Sequence, residues 1–225
     1  MHIGYPVFKA FVPGIGLGYS FSKNKTEHLL QFDAFYSPYL NSDDGHGNNF
    51  ILQKNKSKFT SLQISHRMYY PLLTSGKFDL DFGGVACLDF QRRYLTYLSG
   101  LEERTADIHF CLGPDARLKY EATGRLSVKL AFSGMFYIPY LNTGKLKRWD
   151  VEGELIYKSN YHAFYYRTMF DISLGYKLTK EQAISLGYVK DDIVGFANAR
   201  PLFHIDEMKH FRLDRMHNFY IRYHF

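Results

Sequence analysis

The alternation of residues 211–225, at the carboxyl end, restricts the fold more than any other feature of the sequence. Phe219, Ile221, Tyr223 and Phe225 occupy every second position, and mostly polar side chains fill the gaps. Successive side chains of a strand point to opposite faces, so this pattern predicts a β-strand with one apolar and one polar face. The sequence ends on the strand itself, whereas the termini of soluble domains usually fray into water.

The same period of two recurs along the whole chain, and no helical period of 3.6 persists anywhere. Nine stretches alternate clearly: 14–22, 29–36, 59–70, 78–91, 107–120, 126–138, 164–176, 184–188 and 211–225. The connections between these stretches are alternately short and long. The short ones are 23–25, 71–76, 122–125 and 178–182, and the long ones are 41–57, 94–105, 141–161 and 190–210. This pattern predicts one all-β domain over residues 1–225, and an antiparallel up-and-down barrel is a fold that fits it.

Composition favours a barrel that lies in a membrane. Aromatic residues make up 18% of the chain while the mean hydropathy is −0.29, and no apolar run approaches the roughly 18 residues of a membrane helix. A transmembrane barrel combines these properties because only alternate residues face lipid. A soluble barrel or sandwich also alternates, and composition leaves it open as an alternative.

The closing strand resembles the last strand of bacterial outer-membrane β-barrels, in which alternating apolar residues and a final aromatic residue serve as an assembly signal. Phe219, Ile221, Tyr223 and Phe225 match that pattern. The rhythm of connections is also similar to that class, and the dense Tyr and Phe content is similar in style to Bacteroidetes barrels. The resemblance implies a Gram-negative outer-membrane protein with short periplasmic turns, longer extracellular loops and the barrel-assembly machinery as a partner during insertion.

Barrels of that class have an even number of strands, so we expect about ten, with residues 3–10 as the additional strand; eight and twelve stay open. Residues 1–20 have neither the basic start nor the continuous apolar centre of a signal peptide. We therefore expect that an export signal has been removed. Whether a further strand precedes Met1 stays open.

The polar faces of neighbouring strands allow a test of register, since opposed residues in a hairpin have a constant index sum. If stretches 78–91 and 107–120 pair about residue 99, the sum of 198 places Cys87 opposite Cys111. The same sum opposes Asp81 with Arg117, Asp79 with Lys119 and Asp89 with His109. A sum of 148 about the preceding turn opposes Arg67 with Asp81. Opposed charges on one face contribute about 0.2–1 kcal/mol per pair.

This charge ordering predicts a network inside the barrel, formed by Arg67, Asp79, Asp81, Asp89, His109, Arg117, Lys119 and Arg222. A narrow membrane barrel buries its polar face, where unpaired charge is costly. About ten strands leave little room for a pore, since wide channels belong to barrels of about sixteen strands or more. We therefore expect a plugged polar lumen, with a narrow channel as an alternative.

The two cysteines have two interpretations. A cross-strand disulfide between Cys87 and Cys111 suits an oxidising compartment, and we slightly favour it. Two reduced thiols are the alternative, because opposed strand residues do not always satisfy disulfide geometry.

Signals for chemistry are weak. Some outer-membrane barrels are lipid hydrolases or acyltransferases that use Ser and His, and Ser159 with His162 is the nearest candidate. His204, Asp206 and His210 hold metal-capable side chains but match no zinc signature. We therefore expect no metal site and no cofactor, and enzymatic activity stays an alternative.

The net charge of +6 is scattered rather than gathered on one element, so we expect no nucleic-acid partner. Outer-membrane lipid or lipopolysaccharide is the more natural partner of a basic membrane barrel. We predict a structural or accessory subunit whose extracellular loops bind a larger protein complex or lipopolysaccharide. A lipid-modifying enzyme comes second and a narrow channel third, and the sequence does not indicate the oligomeric state.

Overall fold

The computed structural model describes residues 7–43, 56–96, 102–147, 154–159, 164–199 and 208–225. Eleven strands form in these ranges: β1 (Val7–Lys23), β2 (Thr26–Ser37), β3 (Asn41–Asp43), β4 (Lys58–Ser75), β5 (Phe78–Thr96), β6 (Glu102–Glu121), β7 (Leu126–Lys147), β8 (Glu154–Ser159), β9 (Phe164–Lys177), β10 (Ala183–Ala199) and β11 (Met208–His224). None of the described residues forms a helix long and apolar enough to cross a membrane.

The strands form one closed sheet, a β-barrel. Spatial neighbours follow in the order β11, β10, β9, β7, β6, β5, β4, β2, β1, and β1 pairs back onto β11. The short strands add no position of their own, because β3 continues β2 along β1 and β8 continues β9 along β7. The described part of the chain therefore builds an all-β barrel of nine strand positions.

The expected tenth strand at residues 3–10 is wrong for the described residues, because Val7–Ala10 belong to β1. The nine strands recognised from alternation are the nine of the barrel. When an odd number of strands alternates in direction, the first and last strands point the same way. Strands β1 and β11 accordingly pair in parallel, from Val7 opposite Leu213 to Gly18 opposite His224.

Three of the predicted short connections, 23–25, 122–125 and 178–182, contain the turns, whereas 71–76 is strand as far as Ser75 and the turn follows at 76–77. Asn24 and Lys25 have φ values of 50° and 65°, and Gly76 has a φ of 60°, all in the left-handed region that turns use. The predicted long connections are too long, because β7 continues to Lys147 and β8 occupies Glu154–Ser159 within the expected 141–161 loop. Backbone pairing continues there beyond the apolar alternation that marks a strand in the sequence.

The predicted register of β5 against β6 is confirmed, with Cys87 opposite Cys111 and Asp81 opposite Arg117. The predicted register of β4 against β5 is wrong, because Arg67 lies opposite Val85 rather than Asp81. The hairpin turns at residues 76–77, later than assumed, and a bulge between Pro71 and Leu73 moves the pairing back by only one residue.

Side chains alternate between the two faces of the barrel wall as a period of two requires. In β4, Ser61, Gln63 and Arg67 are buried in the interior, whereas Leu62 and Ile64 are 40% and 52% exposed on the outside. Buried polar side chains occur at each of the other strand positions except β1, whose buried side chains among the described residues are Ala10 and Val12. The polar face is therefore the inner one, and the apolar face is the outer one.

Candidate functional site

Charged side chains line much of the barrel interior, together with a cluster of buried apolar side chains. The eight residues predicted for the interior network all lie on the inner face of their strands: Arg67, Asp79, Asp81, Asp89, His109, Arg117, Lys119 and Arg222. Six of them are buried, and Asp79 and Lys119 are half-buried near the end of the barrel that carries the tight turns. We call that end the turn end and the opposite one the loop end.

Arg167 of β9 lies at the centre of the first cluster and is fully buried. Its Nε and Nη2 donate to the two carboxylate oxygens of Asp191 at 2.8 and 2.5 Å. Its Nη1 reaches across the barrel to Asp89 Oδ2 at 3.2 Å. Asp89 also accepts hydrogen bonds from Ser61 at 2.8 Å and Gln91 at 2.6 Å. This cluster ties β9 and β10 to β4 and β5 on the other side of the interior.

Arg67 of β4 forms the second cluster with Asp115 of β6. Its Nη1 lies 3.0 Å from Asp115 Oδ2, and the same carboxylate accepts from the Tyr69 hydroxyl at 2.7 Å and from Ser133 at 3.0 Å. The partner of Arg67 is therefore Asp115, two strand positions away, and not the predicted Asp81. Both oxygens of the Asp115 carboxylate therefore accept hydrogen bonds from side chains inside the barrel.

Arg117 of β6 forms the third cluster near the turn end. Its guanidinium donates to Asp81 at 2.9 and 2.7 Å and to both carboxylate oxygens of Glu27 at 3.1 and 2.5 Å. The same group lies 4.0 Å from the centroid of the Tyr69 ring. Arg117 thereby joins its predicted neighbour Asp81 to an acid on the far strand β2.

Lys119 continues this arrangement towards the turn. Its Nζ lies 2.7 Å from Glu121 and 3.9 Å from Asp79. The predicted opposition of Asp79 and Lys119 is the observed register, but the shorter contact is with Glu121 on the same strand. Both acids are about one-third exposed, so these pairs are weaker than the buried ones.

Arg222 of β11 forms the fourth cluster at the closing seam. It donates to both oxygens of Asp33 in β2 at 2.9 and 2.8 Å, reaching past β1. Its guanidinium lies 4.1 Å from the centroid of the Tyr220 ring, and the Tyr220 hydroxyl donates to Asp171 at 2.9 Å. This bidentate pair fixes the last strand to the second one across the parallel seam.

Little free space is left between the clusters. The two interior cavities described by the structure have volumes of about 30 and 10 Å³, which is room for one or two water molecules. Barrels of about eight strands are narrow enough for side chains to fill. Buried side chains therefore occupy most of the space around these two cavities in the described part of the interior.

Cys87 and Cys111 are directly opposite each other, and both are buried free thiols. The Cys111 thiol lies 3.6 Å from the backbone oxygen of Cys87 and 3.7 Å from Met135 Sδ. The expected disulfide is therefore not formed in this structure. The Cys111 thiol contacts the Cys87 backbone and the Met135 thioether, and the two thiols also interact with each other without a covalent bond.

The four residues of the expected assembly signal lie on the outer face of β11. Phe219, Ile221 and Phe225 are 39%, 55% and 51% exposed, and Tyr223 is half-buried. The Phe225 N–H donates to the backbone oxygen of Gly18 at 3.0 Å. The final residue is thus hydrogen-bonded to the first strand at the seam.

The weak catalytic and metal candidates lie largely outside the described residues. His162, His204 and Asp206 are outside them, and Ser159 and His210 are described only as backbone positions of β8 and β11. Within the described ranges, no three His, Cys, Asp or Glu side chains are placed to hold a metal ion.

The sequence-based prediction missed several partners inside the barrel. Asp115, Asp33, Glu27 and Asp191 hold the four arginines, and Arg167 is the most buried of the cations. The period-two alternation places all five of these residues on the polar faces of their strands, and this was the one sequence signal that indicated an inward position. An index sum pairs only adjacent strands, however, and most of these contacts skip at least one strand.

Comparison of this chain with protein-family models, with curated proteins and with solved structures finds no match.

Proposed function

We propose that this chain is an integral β-barrel of a bacterial outer membrane with a closed interior, and that it serves as a structural or accessory subunit rather than as a channel. The observation that carries the proposal is the polarity of the wall. Large apolar side chains cover the outside, and ion-paired arginines and carboxylates lie inside beside a smaller cluster of apolar side chains. A water-soluble barrel has the opposite arrangement.

The extent of the apolar outer face supports a lipid environment. Among the described residues, 36 large hydrophobic side chains are exposed, and every one of the nine strand positions contributes some. Soluble monomers rarely expose apolar patches of more than a few hundred Å². The principal strands have 12 to 22 residues, and about 9–11 suffice to cross the hydrocarbon core.

Aromatic residues at the turn end support the same conclusion. Five strands carry an outward-facing aromatic residue close to the turn end of the barrel: Tyr19, Tyr70, Tyr120, Tyr176 and Phe225. Girdles of aromatic residues flank the apolar band of transmembrane barrels at the membrane interface. On this proposal the turn end is periplasmic, and the loop end faces the cell exterior.

The histidines on the outer face are also compatible with lipid. His28 and His66 lie at neighbouring outward positions of β2 and β4, and His28 Nδ1 is 3.2 Å from His66 Nε2. Their rings stack, and Phe21 stacks on His28. A polar group in an apolar environment is tolerated when it has a hydrogen-bonding partner, which these two rings provide for each other.

The packed interior distinguishes the proposed role from a channel, since cavities of about 30 Å³ admit water molecules but no hydrated ion or solute. A Ser–His contact does exist, because Ser185 Oγ lies 2.9 Å from His224 Nε2. Both side chains line the larger interior cavity, where a lipid substrate has no space. This geometry favours the structural role over the lipid-modifying enzyme.

The proposal is tested by two measurements on the purified protein in lipid vesicles and planar bilayers. We expect a heat-dependent shift on SDS gels and no conductance steps above the bare bilayer. Stepwise conductance would contradict the closed barrel and would identify the protein as a channel. The alternative of a lipid-modifying enzyme is tested by lipid analysis of membranes with and without the protein. A change in lipid A acylation or in the amount of lysophospholipid would contradict a structural role.

A further inference from the structure

The outer face of β10 and β11 carries a group of polar side chains within its apolar surroundings. This outer polar patch consists of Tyr188, Lys190 and Asp192 on β10 with Arg215 and His217 on β11. Lys190 is opposite His217, and Asp192 is opposite Arg215. These positions alternate with the buried residues of the interior, so all five side chains point away from the barrel axis.

Apolar side chains border the patch. Lys190 is opposite Phe170 of β9, which is 43% exposed, and Leu186 and Phe219 on the turn side are 54% and 39% exposed. Phe219 stacks on Phe11 of β1 at 4.3 Å. The patch thus lies on the loop side of Leu186 and Phe219, level with Phe170 and Phe11 on the neighbouring strands.

The patch is only partly neutralised by its own contacts. Asp192 Oδ2 lies 3.0 Å from Lys190 Nζ, and its Oδ1 lies 3.4 Å from Arg215 Nε. Among the described side chains, these two cations share this one carboxylate, which leaves one net positive charge. Tyr188 and His217 form a hydrogen bond with each other, with 2.6 Å between the Tyr188 hydroxyl oxygen and His217 Nδ1.

The exposure of the three charged groups shows which of them can meet a ligand. The side chains of Lys190 and Arg215 are each 44% exposed, whereas Asp192 is 21% exposed between them. The carboxylate therefore holds the two cations apart and leaves donor groups of both available. A lysine ammonium and an arginine guanidinium are the side chains that bind phosphoryl oxygens.

An uncompensated charge on a surface that faces lipid is expensive. The anions within its reach are phosphoryl headgroups, and the long aliphatic stems of Lys and Arg allow their charged ends to extend towards the headgroup region. We propose that the outer polar patch binds the phosphoryl group of an anionic outer-membrane lipid, with Lys190 and Arg215 as its charged contacts. This inference rests on the proposed membrane location of the barrel.

Binding is tested with the detergent-purified full chain, titrated with phosphatidylglycerol and followed by native mass spectrometry. Phosphatidylcholine serves as the zwitterionic comparison, and inorganic phosphate shows whether the acyl chains are needed. The test variant is K190Q/R215Q. The matched control is K58Q/R92Q, which removes one lysine and one arginine from the outer faces of the adjacent strands β4 and β5.

We expect the wild type and K58Q/R92Q to bind phosphatidylglycerol with similar affinity and in preference to phosphatidylcholine. K190Q/R215Q should bind it on the order of tenfold or more weakly, since each basic residue near an anionic membrane surface contributes about fivefold. An equal loss of phosphatidylglycerol affinity in both double variants would show that only the overall positive charge matters, and it would overturn the proposed site. So would equal binding by all three proteins, or a dimer of the chain that forms without lipid and dissociates in K190Q/R215Q.

The heat-dependent gel shift of each protein keeps the two proposals distinguishable. A wild type that shows no shift contradicts the membrane barrel itself. A wild type and variants that shift alike but bind no lipid contradict only the lipid site.

Discussion

Replacement of Arg167 by methionine tests whether ion pairing holds the barrel together. Arg167 is fully buried and makes two hydrogen bonds to Asp191 and one to Asp89. R167M keeps most of the side-chain volume and leaves two carboxylates without their cation. Loss of one partner from a buried ion pair costs about 3–5 kcal/mol. We expect R167M to lower the free energy of unfolding by about 4 kcal/mol, a large part of the roughly 5–15 kcal/mol of a typical domain.

The charge is separated from packing by two further variants. In D89N/R167M/D191N all three charges are absent, and replacement of a complete buried ion cluster by neutral groups is often tolerated. We expect this triple variant to recover most of the loss. Arg125 is exposed in the turn before β7, so the control R125M should change the free energy of unfolding by less than about 0.5 kcal/mol.

Urea unfolding in detergent micelles, followed by far-ultraviolet circular dichroism, gives these free energies. The midpoint temperature of the SDS gel shift gives an independent ranking. A loss below about 1 kcal/mol in R167M would refute the reasoning. A triple variant no more stable than R167M would refute it as well, because the loss would then come from packing.

Two further predictions concern the wall of the barrel. A Cβ on Gly83 would lie 1.6 Å from the backbone oxygen of Met68, whereas one on Gly84 would meet nothing closer than 3.5 Å. G83A should therefore lower the free energy of unfolding by about 1–3 kcal/mol or more while G84A stays close to the wild type, and equal urea midpoints would contradict this. Because Cys87 and Cys111 are free thiols, a maleimide should label two sites per chain after denaturation without reductant; an unlabelled chain would show a disulfide.

Local alternation was sufficient for much of the fold, because burial on opposite faces of a strand imposes a period of two. It identified nine strands and the Asp81–Arg117 register correctly. The tenth strand came from the even-number rule and not from the residues, and Val7 to Ala10 continue β1 instead. The strand at Glu154–Ser159 was missed because its apolar residues Leu155, Ile156 and Tyr157 are consecutive and show no period of two.

The interior network was predictable in composition but not in pairing. The eight residues predicted for the network do lie on the inner face, since parity alone decides which side chains point inward, but Asp33, Asp115 and Asp191 were left out of that set. The partner of Arg67 was wrong, because a turn at Gly76 moved the register of β4 and the bulge after Pro71 moved it back by only one residue. Contacts such as Arg222 with Asp33 and Arg167 with Asp89 depend on the curvature of the closed barrel, which no pattern in a single strand encodes.

The central claim, that the apolar face of the wall contacts lipid, is tested most directly by spin labels placed along β4. Single labels at Ser61, Leu62, Gln63 and Ile64, in a C87S/C111S background reconstituted in vesicles, report collisions with oxygen and with a water-soluble nickel complex. Labels at the outward Leu62 and Ile64 should collide with oxygen and be shielded from nickel, while those at the buried Ser61 and Gln63 should collide little with either. Free access of the nickel complex to Leu62 and Ile64 would contradict a membrane-embedded barrel.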